Sequence, residues 1–249
     1  MNNKNNLSSA IILLGGTGSR FSKINEAPKQ LAKINKTIIL LRIIKNLNKN
    51  GFNYFIFPLG YKKFFFTNFF KSKKIVEKNN IKIIQNIHQI DNTKINIKLF
   101  DAGLNTSKLL RIKKSIQFLT QNDFLVTYGD GLANINVKKL VKLYFENNKK
   151  IAYLSTFLKK SQYGHVKLLK NNLVKYFQEK PKLLDPINIG FYIFNKYIIT
   201  KYYKKNYELE SHFLKKLIKS KILKAYLHKG YFFSIDSKKD ILNAEKSLK

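Results

Sequence analysis

The sequence predicts an α/β fold built on a doubly wound, mostly parallel sheet, with a β-rich second half. Two observations carry that expectation. Short apolar runs alternate with amphipathic helical stretches through the first half of the chain, the order of a parallel sheet with crossover helices. Two of the runs, Ala10-Ile11-Ile12-Leu13-Leu14 and residues 123–128, end in glycine turns, Gly15-Gly16 and Gly129-Asp130-Gly131. Ligands of open α/β sheets bind at the carboxyl ends of strands, so both turns mark the expected binding edge.

The elements follow in order. Residues 9–14 read as the first strand. Residues 37–50 place apolar side chains at helical spacing, and Gly51 sits where a helix C-cap belongs. Residues 53–59 form an apolar strand, 61–71 a short helix and 81–87 a strand. Residues 107–119 are helical and 123–128 form a strand. Residues 136–147 are the next helix, with a strand over 151–157. The character then changes. Residues 163–169 and 173–178 flank Asn171-Asn172, a hairpin signal. A strand over 188–194 precedes an amphipathic helix at 208–219. Short strands at 222–227 and 231–235 lead to a last helix over 237–248, with Ser237 as N-cap. Nothing reads as a linker or repeat, so residues 1–249 are expected as one unit, with halves 1–157 and 158–249.

Composition narrows the function. Of the 249 residues 44% are hydrophobic, enough for a real core, and the formal charge is +34. The lysines are spread along the chain rather than blocked together, and the chain is rich in Lys, Asn, Ile, Phe and Tyr, residues of A/T-rich codons. Most of the charge is therefore read as compositional drift, and nucleic acid is not expected as the main partner. The arginines are Arg20, Arg42 and Arg111 alone. An arginine kept in a lysine-rich chain suggests planar, bidentate binding of phosphate or carboxylate. Arg20 lies in the glycine-rich loop and Arg111 follows the loop Asp101-Ala102-Gly103. Arg42 sits mid-helix, where a solvated or paired structural role is expected. Without cysteine, disulfides and thiolate zinc sites are excluded. His88, His165, His212 and His228 lack ligand spacing. The polar start and the absence of an apolar run near the ~20 residues of a membrane span point to a soluble cytoplasmic protein without a membrane partner.

The chemistry begins at Gly15-Gly16-Thr17-Gly18-Ser19-Arg20. A loop almost free of side chains lets backbone N–H groups approach a phosphate chain. Arg20 adds a cationic fork and Lys29, after Pro28, a point charge. These parts suit a nucleoside triphosphate. The loop is not a P-loop, which ends in Gly-Lys-Ser/Thr, and it lacks the Gly-x-Gly-x-x-Gly dinucleotide spacing. Asp130, at a strand end between glycines, suits a hard cation such as Mg²⁺, and equally suits a turn. Asp236 follows Tyr231-Phe232-Phe233-Ser234-Ile235 and precedes a helix, where it is either a second Mg²⁺ ligand or a helix N-terminal charge. Glu179-Lys180-Pro181 places a carboxylate beside an ammonium, a pair for sugar hydroxyls and phosphate. Asn188-Ile189-Gly190-Phe191 joins an amide to a glycine that permits close approach.

In this order the motifs resemble the sugar-phosphate nucleotidylyltransferases, and among them the glucose-1-phosphate cytidylyltransferases. The resemblance runs from about Ala10 to about Lys246. Its more specific phrases are Thr127-Tyr128-Gly129-Asp130-Gly131, Ser155-Thr156-Phe157, Tyr163-Gly164, Phe177-Gln178-Glu179-Lys180-Pro181 and Gly230-Tyr231-Phe232-Phe233-Ser234-Ile235-Asp236. It implies a Rossmann-like nucleotidyltransferase fold, with a nucleotide-binding half over 1–157 and a sugar-phosphate-binding half over 158–249. It implies that Leu13, Leu14, Gly15, Gly16, Thr17, Gly18, Ser19 and Arg20 hold the nucleotide, with Thr106, Arg111 and Gly129 as further contacts. Lys29 matches the lysine on the reacting phosphates, and Arg20 and Lys29 carry the catalysis. Asp130 and Asp236 match magnesium ligands; Glu179, Lys180 and Asn188 match positions near the sugar phosphate.

The implied reaction joins CTP to a sugar 1-phosphate, glucose 1-phosphate first, giving CDP-glucose and pyrophosphate. The alternatives are a relative using UTP, dTTP or another sugar, a basic nucleic-acid-binding protein on this scaffold, or an inactive relative. The resemblance also implies a homo-oligomer and a role in nucleotide sugars for polysaccharide. The chain departs from the pattern at Leu14, Ser19, Ala27-Pro28-Lys29-Gln30 and Gln162. It departs most at Lys108-Leu109-Leu110, where the family has Thr-Gly-Gly near the base. Bulk at Leu109 and Leu110 is expected either to narrow that pocket or to push its backbone away, and a narrowed pocket would still favour a pyrimidine over a purine.

Overall fold

A central sheet of nine strands organises the computed structural model, which describes residues 6–15, 26–70, 75–78, 81–90, 93–147 and 151–248. The first strand, β1 (Ser9–Leu13), runs into the Gly15 turn. Two short strands, β2 (Lys33–Ile34) and β3 (Thr37–Ile38), lead to α1 (Ile39–Lys49). Then come β4 (Tyr54–Leu59), α2 (Lys63–Phe69), β5 (Ile75–Lys78), β6 (Ile81–Ile90), β7 (Thr93–Asp101) and α3 (Lys108–Ser115). Next are β8 (Asp123–Tyr128), β9 (Gly131–Ala133), α4 (Val137–Phe145) and β10 (Ala152–Phe157). The remainder is β11 (His165–Leu168), β12 (Val174–Gln178), β13 (Ile187–Asn195), α5 (Lys196–Tyr202), a π-helical segment (Leu209–Leu214), α6 (Lys215–Lys219), β14 (Leu223–His228), β15 (Phe232–Ser234) and α7 (Lys238–Ser247).

The strand order is β14-β10-β13-β8-β1-β4-β7-β6-β5. β8, β1, β4 and β7 are parallel neighbours, and only β13 and β6 run against the other seven strands of the sheet. The sheet is thus mostly parallel, as expected. Strands β13 and β14 of the second half lie in the same sheet, with β13 between β10 and β8.

Helices on both faces explain why the central strands read as unbroken apolar runs. Side chains alternate across a strand. Ala10 and Ile12 of β1 pack into one core with Phe55 and Phe57 of β4, while Ile11 and Leu13 enter the other with Ile56. α1 closes the first core with Ile39, Leu40, Ile43, Ile44 and Leu47, and Gly51 follows it at φ 97°. Leu109 and Ile112 of α3, Ile198 and Ile199 of α5 and Phe213 close the second.

Several elements differ from expectation. The helix over 37–50 starts at Ile39, because Thr37 and Ile38 pair with Ile34 and Lys33 across Asn35 and Lys36, both at positive φ. That is the geometry of a tight hairpin turn. β7 was not anticipated: its Lys and Asn residues mask a strand whose Ile95, Ile97 and Leu99 reach the first core. α5 was hidden because it follows β13 directly, with the Asn195 side chain accepting from Tyr197 N. The helix at 208–219 begins as π-helix. The hairpin of β11 and β12 forms as expected, outside the main sheet and exposed at every residue. Among the described residues no helix is long and apolar enough to cross a membrane.

Candidate active site

The carboxyl ends of β1 and β8 lie side by side, since the strands pair in parallel up to Leu13 and Tyr128. Gly129 N donates to Leu13 O at 3.3 Å. A side chain at Gly129 would strike Leu14 Cδ2 at 2.4 Å. Gly15, at φ 90°, packs so closely on the turn after β4 that a Cβ would lie 2.5 Å from Gly60 N. Close backbone approach is therefore built into both glycine turns. Gly16, Thr17, Gly18, Ser19 and Arg20 lie outside the described residues.

Three charged side chains converge beside these turns. Lys29 opens a short 3₁₀ turn behind Pro28. Its Nζ lies 2.8 Å from Asp130 Oδ2 and 2.7 Å from Asp236 Oδ1, with the lysine side chain 11% exposed. Asp130 and Asp236 are far apart in sequence and are joined by a ribbon. β9 and β15 pair antiparallel with Gly131 opposite Ser234, and Ile235 N then donates to Asp130 O at 3.1 Å. Asp236 is steadied by Ser234 Oγ at 2.9 Å on its Oδ2 and by its own N–H to Asp240. Asp240 also completes a capping box with Ser237 at the start of α7. Burial alone would pull the Lys29 pKa down; the charge of Asp130 and the hydrogen bonds to both aspartates outweigh it and hold the pKa above the usual lysine value.

Two carboxylates aimed at one cation fit a divalent ion, which takes one or two protein carboxylates plus phosphates. Among the described residues no group of three or more His, Cys, Asp or Glu gathers to hold a metal. Asp130 and Asp236, which share Lys29 Nζ, are the residues that would hold one.

The structure places other expected site residues differently. Arg111 is 5% exposed. Its Nε donates to Thr106 O at 3.0 Å and its Nη1 to Leu14 O at 2.8 Å and Pro58 O at 3.2 Å. Its Nη2 reaches the carbonyls of Gly15, Gly103 and Leu104. Six carbonyls take up the five donors, so Arg111 clamps loop backbone instead of gripping a phosphate. Thr106 Oγ is likewise turned inward, donating to Ala102 O at 2.7 Å. Leu13 and Leu14 send their side chains into the two cores, and only their backbone borders the turn. Leu109 is fully buried in the same core as Ile11 and Leu13, so its bulk is spent on core packing. Leu110 N is spent on the N-cap Ser107 Oγ. Arg42 donates to Ile34 O at 2.7 Å, a structural role as expected.

Among the residues expected near the sugar phosphate, Asn188 is the second residue of β13, with its amide engaged at both ends. Glu179 and Lys180 follow the exposed β12 and pair with each other at 3.2 Å, each about 60% exposed. No described contact joins them to Asn188. The sequence reading missed Glu210, Tyr192 and Lys108, which with Tyr128 form a polar network at the same edge. One signal for Glu210 was available: acids number 14 against 48 Lys and Arg, so each stands out in this chain.

A parallel sheet that closes on glycine turns, with a lysine and two aspartates gathered at its carboxyl edge, is the apparatus of a nucleotide-transferring enzyme. The chain belongs to the nucleotidyl transferase family, whose model matches residues 9–241. Among curated relatives, the probable glucose-1-phosphate cytidylyltransferase of Bacillus subtilis is 33% identical over 190 residues, 74% of this chain and 73% of its own length. The glucose-1-phosphate cytidylyltransferase of Salmonella typhimurium is 31% identical, over 75% of this chain and 74% of its own. Among solved structures, HddC from Yersinia pseudotuberculosis shares the fold with a TM-score of 0.67 at 20% identity, covering 98% of this chain and all of that one.

Proposed function

We propose that this protein transfers a cytidylyl group from CTP to a sugar 1-phosphate, glucose 1-phosphate first, releasing pyrophosphate. The observation that carries the reading is the convergence of Lys29, Asp130 and Asp236 beside the glycine turns after β1 and β8. The names of the two curated relatives support the choice of base and sugar.

A phosphate oxygen of the sugar attacks the α-phosphorus of the nucleotide. The bond from that phosphorus to the β-phosphate oxygen breaks, and pyrophosphate leaves. Such transfer depends on positioning and charge neutralisation more than on covalent help. Lys29 supplies the positive charge that holds the attacking phosphate near the α-phosphorus, and the attacking group is already ionised, so no general base is required. Stabilising the charge that builds on the leaving group falls, by the family resemblance, to the backbone of residues 15–18 and to Arg20. Asp130 and Asp236 would hold Mg²⁺, which when bound screens phosphate charge and acts as a Lewis acid.

The test is pyrophosphate release from CTP, UTP, dTTP, GTP and ATP, each with several sugar 1-phosphates and Mg²⁺. CTP with glucose 1-phosphate is expected to give the highest kcat/KM. Better use of GTP than CTP would overturn the base assignment, and no release from any pair would overturn the reading as a whole.

A further inference from the structure

Five side chains form one hydrogen-bonded chain from α3 to β13 along the carboxyl edge of the sheet, and chemistry sets its direction. The Glu210 carboxylate can only accept. Lys108 Nζ donates to its Oε1 at 2.5 Å, and the Tyr128 hydroxyl donates to the same oxygen. With its proton given to Glu210, Tyr128 must accept at its 3.1 Å contact with the Tyr192 hydroxyl. Tyr192, now a donor toward Tyr128, accepts from Asn188 Nδ2 at 2.6 Å. The other end of that amide is fixed as well, since Asn188 Oδ1 takes Gly190 N–H at 3.0 Å. A flipped amide would face Tyr192 with an acceptor after the hydroxyl proton has been committed elsewhere.

We propose that Glu210 is a positioning residue for the sugar phosphate, acting through Tyr128 and Tyr192 to hold the Asn188 amide in one orientation. That leaves one N–H and one lone pair of Asn188 for a ligand. The inference rests on the reading of Asn188 as a sugar-phosphate contact.

Three independent features fit it. Glu210 lies on a π-helical segment, a rare winding that concentrates at functional sites. Leu209 and Phe213, both fully buried, anchor that segment against the second core. Gly190, at φ 78°, lets the Tyr128 ring lie where a Cβ would come within 2.3 Å of it, so the backbone at β13 is shaped around this tyrosine. The protonation states agree with the direction of the chain. Burial alone would raise the Glu210 pKa, but the hydrogen bonds from Lys108 and Tyr128 outweigh it and hold the carboxyl below its usual range. Burial pushes the Tyr192 hydroxyl up to about 12 and, with Glu210 beside it, Tyr128 further still. An ionised acceptor and two neutral hydroxyls are what the relay requires.

A purely structural network, pinning the π segment to the sheet, makes a different prediction. The experiment measures steady-state pyrophosphate release by the full chain with CTP and glucose 1-phosphate, and glucose 1-phosphate binding by calorimetry. The variants are Tyr128→Phe, Tyr192→Phe, Glu210→Ala and Glu210→Gln, each alone and combined with Asn188→Ala. The two phenylalanine variants and Glu210→Ala are expected to weaken sugar-phosphate KM and binding about tenfold, the worth of one well-placed hydrogen bond. The KM for CTP should stay within about twofold by the same measure. Glu210→Gln, whose amide oxygen still accepts, should recover most of the loss. In the Asn188→Ala background the other substitutions should add nothing. Equal losses with and without Asn188, or equal rises in both KM values, would overturn the positioning role. If the wild type binds glucose 1-phosphate but releases no pyrophosphate, the proposed reaction fails while the calorimetric cycle still decides the relay. If the wild type does not bind glucose 1-phosphate, both fail.

Discussion

One guanidinium gathers three loops at the carboxyl edge of the sheet. Arg111 ties backbone carbonyls after β1, at the end of β4 and after β7, so the shape of the Gly15 turn depends on this one side chain. Arg111→Lys keeps the charge but loses the fork. It leaves buried carbonyls unpaired and is expected to cost about 2–4 kcal/mol of stability, read by denaturant unfolding; a loss under about 0.5 kcal/mol would remove the clamp from the account. Asp130→Asn should abolish pyrophosphate release with little change in stability, because Lys29 keeps its contact with Asp236. Near wild-type release at millimolar Mg²⁺ would sink the metal assignment. These residues also show how far residue types alone can be read. Lys29, Asp130 and Asp236 were legible because each stands beside glycine, proline or a strand end. The rarity of Arg111 did signal a need for a planar fork, but residue type does not say whether carbonyls or phosphates fill it. Glu210 escaped because its partners Tyr128 and Lys108 are 82 and 102 positions away, and only the folded sheet brings them together.

The elements that read clearly are those with a single dominant pattern. α1 buries Ile39, Leu40, Ile43, Ile44 and Leu47 along one face, and its periodicity was visible at once. Ile44→Ala removes a fully buried side chain from that face and is expected to cost about 2–5 kcal/mol, measured by chemical denaturation, since the surrounding core can only partly close the cavity. A loss below about 1 kcal/mol would mean that α1 packs more loosely than described. β7 and α5 were less legible for opposite reasons. In β7 the core-facing Ile95, Ile97 and Leu99 alternate with Asn and Lys, and the polar residues dominate the impression. In α5 the chain turns from strand to helix within one residue, so no break separates two apolar patterns. In the ribbon of β9 and β15, the strand over 231–235 was expected and contains β15, whereas the three residues of β9 are too few for periodicity to reveal. The ribbon is also the device that brings Asp130 to Asp236.

Across the whole molecule, the parallel block of β8, β1, β4 and β7 sets the site at one edge, and β13 enters beside β8 to carry Asn188 to the same edge. Asn188, from late in the chain, thus reaches the edge formed by the early strands because β13 returns to the middle of their sheet. The formal charge of the whole chain is +34. Its lysines are dispersed, and turnover is expected to depend on salt far less steeply than counterion-driven nucleic-acid binding would. The central claim is that a sugar phosphate oxygen attacks the α-phosphorus. Glucose 1-phosphate carrying ¹⁸O in its non-bridging phosphate oxygens tests it directly, with CTP and Mg²⁺ and the products followed by ³¹P NMR. All of the label should stay with the nucleotide sugar, including its bridging oxygen, and the pyrophosphate should carry none. Label in the pyrophosphate, or no nucleotide sugar formed, would contradict the account.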